Sequence, residues 1–342
     1  MSTINASLTR GEFLRLGGLS LAGLVLPPAR LPADPPPEQL GRVAEAKAVV
    51  YSRPAVEASE VKTYWKDMVL PISEATVGEG PPEHNHIWYR IGSEGYAHSG
   101  AIQPVQTRLN PVVTDIPEGG ALAEVTVPYT DAHWGPGKNY PFAYRFYYQT
   151  TYWVTKQVQD NLAEAWYRIA DDKWDLTFYA LAAHLRIIPK KEIAPLSPGL
   201  RPEEKRLEVH LRQQLVIAYE RDQAVFMARA ATGAEFSNGK FYTPAGRHIT
   251  FHKRASRHMA AGDLASNGYD LPGVPWICYI TEKGVAFHGT YWHNDFGRPR
   301  SHGCINLTPA AAKWIYRWTQ PVASYDVQDV YENYGTRVDV VE

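Results

Sequence analysis

Of the two cysteines in this chain, Cys304 lies in the run Ser301-His302-Gly303-Cys304-Ile305-Asn306. Glycine, histidine and asparagine around a cysteine make a poor hydrophobic core. Three chemical roles are then in play: nucleophile, metal ligand or half of a disulfide. A thiol near its free pKa is mostly protonated at neutral pH, so nucleophilic use requires a base. His288, sixteen positions upstream, follows the apolar, β-prone run Val285-Ala286-Phe287 and could reach back across the intervening loop. Gly289 and Gly303 would let backbone and substrate approach both side chains, and Asn306 could orient a group or cap the loop. Thr308 followed by Pro309 reads as the N-cap and first residue of a helix over 310–318. That places Cys304 a few residues ahead of a helix start, where backbone N–H groups lower a thiol pKa and bind an oxyanion.

The rival roles use the same residues. His288, His293, His302 and Cys304 are ligand types that zinc accepts, but the chain has no CxxC pair and no HExxH helix. A bridge from Cys304 to Cys278 would silence the nucleophile. Cys278, within Pro275-Trp276-Ile277-Cys278-Tyr279-Ile280, reads as core packing. Thr290, Tyr291, Trp292 and Phe296 beside His288 could line a cleft or pack a long loop. Arg298 and Arg300 could meet carboxylates or solvent. The stretch from His252 to Trp276, rich in charge, glycine and proline, reads as a long loop that could form a flap over the site.

The rest of the chain must position these groups. Its 342 residues suggest two or three modules, and a net charge of -1 gives no basic excess for nucleic acid. Twenty-one tyrosines, ten tryptophans and 26 prolines favour short strands and turns over long helices. The tetrapeptide Trp-Tyr-Arg-Ile occurs at 88–91 and again at 166–169, each time followed by a turn and a further aromatic strand. This reads as a duplicated small β unit. The proline- and charge-rich segment 190–203 reads as a linker. Residues 1–40, with Arg10 and Arg15 ahead of an apolar run from Leu16 to Leu26, read as an export signal and proline-rich linker. The order Thr9-Arg10-Gly11-Glu12-Phe13-Leu14-Arg15 resembles a twin-arginine signal with glycine at the second arginine, and the general secretory route fits as well.

His288-Gly289-Thr290 followed by Ser301-His302-Gly303-Cys304-Ile305-Asn306 resembles the signature of the YkuD-type L,D-transpeptidases. Thr232-Gly233, the turn at Thr243, Pro244 and Gly246, and a closing strand from Gly335 to Val341 resemble further parts of that family. The likeness runs from about Glu204 to the C-terminus. It implies a β-rich catalytic domain in which Cys304 attacks a peptidoglycan stem-peptide carbonyl, with His288 as base. A thioester forms, D-alanine leaves, and an amine acceptor resolves it. Gly303 and Cys304 would supply oxyanion N–H donors, while Ser301 and His302 would shape the loop, His302 being the alternative base. Gly289, Thr290, Tyr291, Trp292, Arg300 and Asn306 are the expected substrate-binding residues, and no metal or organic cofactor is implied. Hydrolysis of the same intermediate, or a non-catalytic wall-binding role, are the alternatives.

The repeat resembles bacterial SH3-like domains, which commonly target cell-wall polymers; a purely structural spacer is the competing reading. The expected fold is mainly β, with two small SH3-like barrels (46–108 and 109–189), a linker (190–203) and an L,D-transpeptidase-like domain with a few short helices (204–342). The expected setting is the cell envelope, with membrane contact only through an uncleaved signal. The expected partners are stem peptides and no nucleic acid.

Overall fold

A computed structural model describes residues 39–237, 239–262 and 268–342. The expected signal at 1–40 falls almost wholly outside them. Among the described residues no helix is long and apolar enough to cross a membrane. The architecture is mainly β, and the α-helix Pro309–Trp318 is flanked by strands.

Two seven-stranded sheets lead the chain, built from strands between Leu40 and Val105 and between Ala121 and Ile187. Numbered within each sheet, both have the strand order third, second, sixth, fifth, fourth, first, seventh. Each Trp-Tyr-Arg-Ile lies on the fifth strand, Ile87–Ile91 and Ala165–Ala170. Each fifth strand faces a fourth strand whose register shifts, between Ile72 and Glu74 and between Val154 and Lys156. Such a bulge re-aims the neighbouring side chains, and in both units the tryptophan and isoleucine are buried while the arginine is exposed. The first unit begins earlier than residue 46: Leu40–Val43 sits between its fourth and seventh strands.

Segment 190–203 is a packed joint. Ile193 is 5% exposed within a core that also holds Leu122, Trp153 and Ile188 from the second unit and Leu207, Phe287 and Ile305 from the C-terminal domain. Glu192 receives Arg186 and Lys313 across it.

The C-terminal domain has two five-stranded sheets. One joins the hairpins of Lys205–His210, Leu215–Glu220 and Gln223–Arg229 to the closing strand Arg337–Val341. The other contains Ala286–Gly289 and Ile305–Leu307, and carries the site. The expected loop at 252–276 is instead a hairpin of two long strands, His252–Ala261 and Tyr269–Tyr279. Its alternation is masked because it buries cations. Lys253, 1% exposed, donates to the carbonyls of Tyr316 in the last turn of the helix and of Thr319 and Pro321 just past it, where helix-end acceptors favour a cation.

The second β unit braces this hairpin. Thr151 Oγ1 donates to Ala255 O at 2.7 Å. Gly273 has φ +68, and a Cβ there would meet the Tyr152 ring at 2.2 Å, so only glycine fits. His258, 2% exposed, bridges Asp171 of the second unit and Asp270 of the opposite strand. Burial alone would push the His258 imidazole down, but the two carboxylates outweigh it and raise its pKa. The resulting stability is fully present below the ordinary histidine value, about 6.5. It is lost as pH rises through the higher folded-state value. Wild type should therefore lose thermal midpoint from about pH 6 to pH 8 relative to His258→Gln. A constant difference across that window would contradict the bridge.

Candidate functional site

The cysteine and histidine are brought together by parallel pairing. In the ladder between Ala286–Gly289 and Ile305–Leu307, Phe287 stands opposite Ile305 and His288 opposite Asn306. Cys304 immediately precedes its strand. The expected helix forms at Pro309–Trp318, with Thr308 Oγ1 accepting from Ala311 N–H at 3.3 Å. A strand intervenes, however, and at about 3.3 Å per residue it places Cys304 roughly 13 Å from the cap. The helix field fades within a turn, so the expected lowering of the thiol pKa does not occur. Burial instead pushes the half-buried Cys304 thiol up to about 11, opposed by the Ala286 N–H. Its Sγ rests 3.6 Å from Gly284 O.

The loop carrying Cys304 is held by the Thr232-Gly233 and Thr243 segments. Arg300 and Ser301 N–H both donate to Thr232 O, at 2.8 and 3.0 Å. Thr243 Oγ1 donates to Gly303 O at 2.8 Å and accepts from Gly233 N–H at 2.9 Å. Gly303 has φ +108, a conformation that favours glycine. Its N–H, expected as an oxyanion donor, donates to Ser301 Oγ at 3.1 Å, and that hydroxyl donates onward to Cys304 O. Sequence alone could not show this, because Ser301 was free to face either way. Replacing Thr243 with valine should cost about 1–3 kcal/mol of stability, since it leaves buried backbone groups unpaired. It should also slow thiol-dependent turnover. Chemical denaturation and initial rates check the two effects, and an unchanged rate would contradict the clamp.

His288 is 3% exposed. Burial brings its pKa down to about 4, against a smaller opposing effect of the Gly289 carbonyl, so the ring is neutral at pH 7. Its Nδ1 lies 3.1 Å from Gly289 O. That contact places the proton on Nδ1 and leaves the Nε2 lone pair to take one. His293 is neutral too, its pKa brought down to about 3 chiefly by burial. Its Nδ1 accepts from Asp295 N–H at 3.2 Å, and its Nε2 is 3.1 Å from the Asn306 amide. Since Nε2 must then carry the proton, Asn306 presents its oxygen there. The amide nitrogen then takes the buried position at which no partner is found among the described residues.

A cavity of about 410 Å³ contains Cys304, His288, Ser301, His302, Asn306, Trp292 and Arg300 in its wall. Of the expected substrate-binding residues, Gly289, Thr290 and Tyr291 are not among its lining. Gly289 is buried against Pro275 and Pro309. Thr290 lines a separate cavity with His293 and Asn294. Tyr291 stacks on Tyr147 of the second β unit, with ring centroids 5.1 Å apart. His302 is exposed and stacks on Phe236 at 4.8 Å, with its pKa lowered by burial. Residues not foreseen in the wall include Lys283, on the turn before Ala286, and Met259, Tyr269 and Leu271 from the hairpin. The hairpin is thus a side wall where a flap was expected. Cys278 is buried and free, 3.8 Å from Thr319 Oγ1, and Cys304 is free as well. Among the described residues no three His, Cys, Asp or Glu converge to hold a metal ion.

A thiol and a neutral imidazole sharing one cavity in a β-rich domain are the groups needed for acyl transfer through a thioester. Residues 204–340 match the family model YkuD, L,D-transpeptidase catalytic domain, so this part of the chain is a YkuD L,D-transpeptidase catalytic domain. Among solved structures, an Enterococcus faecium L,D-transpeptidase in mutant form is similar at 22% identity and TM-score 0.31, over 40% of this chain and 49% of that one. The chain therefore spans about half of the length of that relative. An L,D-transpeptidase from Mycobacterium smegmatis is similar at 19% identity and TM-score 0.32, covering 54% and 80%. L,D-transpeptidase 3 from Mycobacterium tuberculosis, in complex with a faropenem-derived adduct, is similar at 17% identity and TM-score 0.32, covering 49% and 74%. No curated protein matches.

Proposed function

We propose that the chain is an envelope L,D-transpeptidase in which Cys304 is the nucleophile and His288 the general base. The observation that carries this reading is the pairing, in one cavity, of a protonated thiol with a buried neutral imidazole whose Nε2 has no hydrogen-bond partner among the described residues. His288 Nε2 takes the thiol proton as Sγ bonds to the stem-peptide carbonyl carbon. The developing oxyanion is met by the Cys304 N–H, since Gly303 N–H is engaged by Ser301 Oγ. The C–N bond then breaks, the imidazolium returns its proton to the departing D-alanine amine, and a thioester remains. An acceptor amine attacks the thioester, His288 takes its proton, and the Cys304 thiol is regenerated. His302, stacked and exposed, helps shape the cavity mouth.

The acceptor is read by incubating the full chain with tetrapeptide-stem muropeptides and weighing the products. Cross-linked dimers are the expected result. Tripeptides alone would replace transfer with hydrolysis, and products independent of Cys304 would overturn the reading. Residues 1–40 fit export to the compartment where such substrates occur, and the two β units fit a place against the wall polymer.

A further inference from the structure

The loop joining His288 to Cys304 is held from outside its own domain. Its buried Asp295 contacts His84 Nε2 through Oδ1 at 2.6 Å. Through Oδ2 it contacts Arg298 Nε at 2.6 Å and Arg300 Nη1 at 3.0 Å. Arg300 Nη1 also donates to Glu45 Oε1. Asn294 N–H donates to Gly100 O at 3.0 Å, a third tie to the same unit. Glu45, His84 and Gly100 all belong to the first β unit.

These ties consume only one end of the guanidinium. Among the described residues, Arg300 Nη2 and Nε donate to no protein acceptor, although Arg300 lines the cavity that holds Cys304. Among the described residues, the lining of that cavity includes Lys283 and Arg300 but no aspartate or glutamate. A planar guanidinium fixed on one edge and open on the other is shaped for a carboxylate.

We infer that Glu45 and His84 are positioning residues, through which the first β unit sets Arg300 to take a carboxylate of the peptide substrate. This rests on the cavity being the stem-peptide site. Glu45 anchors Nη1 directly, while His84 fixes Asp295, which anchors Nη1 from the other side. The first unit is then part of the substrate site as well as a neighbour of it.

Binding to full-length Cys304→Ala protein tests the inference without turnover. The probes are a stem tetrapeptide and the same peptide with its carboxylates converted to amides, followed by calorimetry. Adding Glu45→Gln should weaken the free-acid peptide roughly 10-fold, the loss of about one charge-assisted contact. The amidated peptide should bind that variant and its parent equally. His84→Ala should show the same selectivity, and Arg300→Gln should weaken the acid at least as much, with no further loss on adding Glu45→Gln. Equal weakening of both peptides would mean a merely structural role and overturn the inference, as would no weakening. Failure of the free-acid peptide to bind the Cys304→Ala protein would also overturn it. Release of D-alanine by wild type is measured separately. Absent turnover with intact carboxylate selectivity would sink the reaction and leave this site standing.

Discussion

Replacing Cys304 with alanine is expected to reduce product formation from stem peptides by on the order of 10³-fold or more, with little change in stability. The chain has one other thiol. Cys278 is fully buried in the core, with its own pKa raised by burial, and lies outside the cavity lining. No second sulfur can therefore take over. The loop should hold its shape without the thiol, because its ties run through the Ser301 hydroxyl, Thr243 and the Gly303 backbone. Among the described residues the Cys304 side chain makes one long hydrogen-bond contact, to Gly284 O at 3.6 Å. A stability change within about 1 kcal/mol is expected for a substitution of this kind. Residual turnover near wild type would remove Cys304 from the chemistry. Lost turnover with a collapsed fold would contradict the backbone account of the loop.

Substituting His288 is expected to cost about 10²–10⁴-fold in kcat/KM, the usual weight of a general base. It should also change the pH dependence in a defined direction. The base works only when unprotonated, and burial has brought His288 down to about 4. Activity should therefore hold as pH falls through about 6.5, the ordinary histidine value, and decline only as pH approaches about 4. The Cys304 thiol, pushed up to about 11, is protonated throughout that range. Simple alkylation of Cys304 by iodoacetamide should accordingly quicken with pH well into the alkaline range. His302→Ala should retain the acid limb, since the exposed ring stacks on Phe236 and meets Phe241 edge-on. An acid limb near pH 6.5 that vanishes in His302→Ala would transfer the base role to His302.

Features governed by neighbouring residues were legible in the sequence. The Thr308–Pro309 helix start is local chemistry, and the repeated Trp-Tyr-Arg-Ile marks the fifth strand in two sheets of identical order. The place of Cys304 on a loop shortly before that helix was legible for the same reason. Features that depend on distant partners were not. The hairpin at 252–279 reads as a loop because Lys253 and His258 interrupt its apolar alternation. Their partners lie elsewhere in the chain, as carbonyls beyond the helix and a carboxylate of the second unit. Tyr291 was expected near substrate because it neighbours His288, but Tyr147 claims its ring. The three-residue strand Ile305–Leu307 is too short to announce itself, and it separates the thiol from the helix field. Glu45 and Arg300 are 255 positions apart, so their contact leaves no local pattern at all.

The most direct test of the central claim is the intact mass of the full chain during incubation with a tetrapeptide stem. The expected result is a transient adduct on Cys304, equal to the peptide less D-alanine, that hydroxylamine removes and that Cys304→Ala never forms. Product formation without any such adduct, or an adduct that persists in Cys304→Ala, would contradict covalent catalysis by this cysteine.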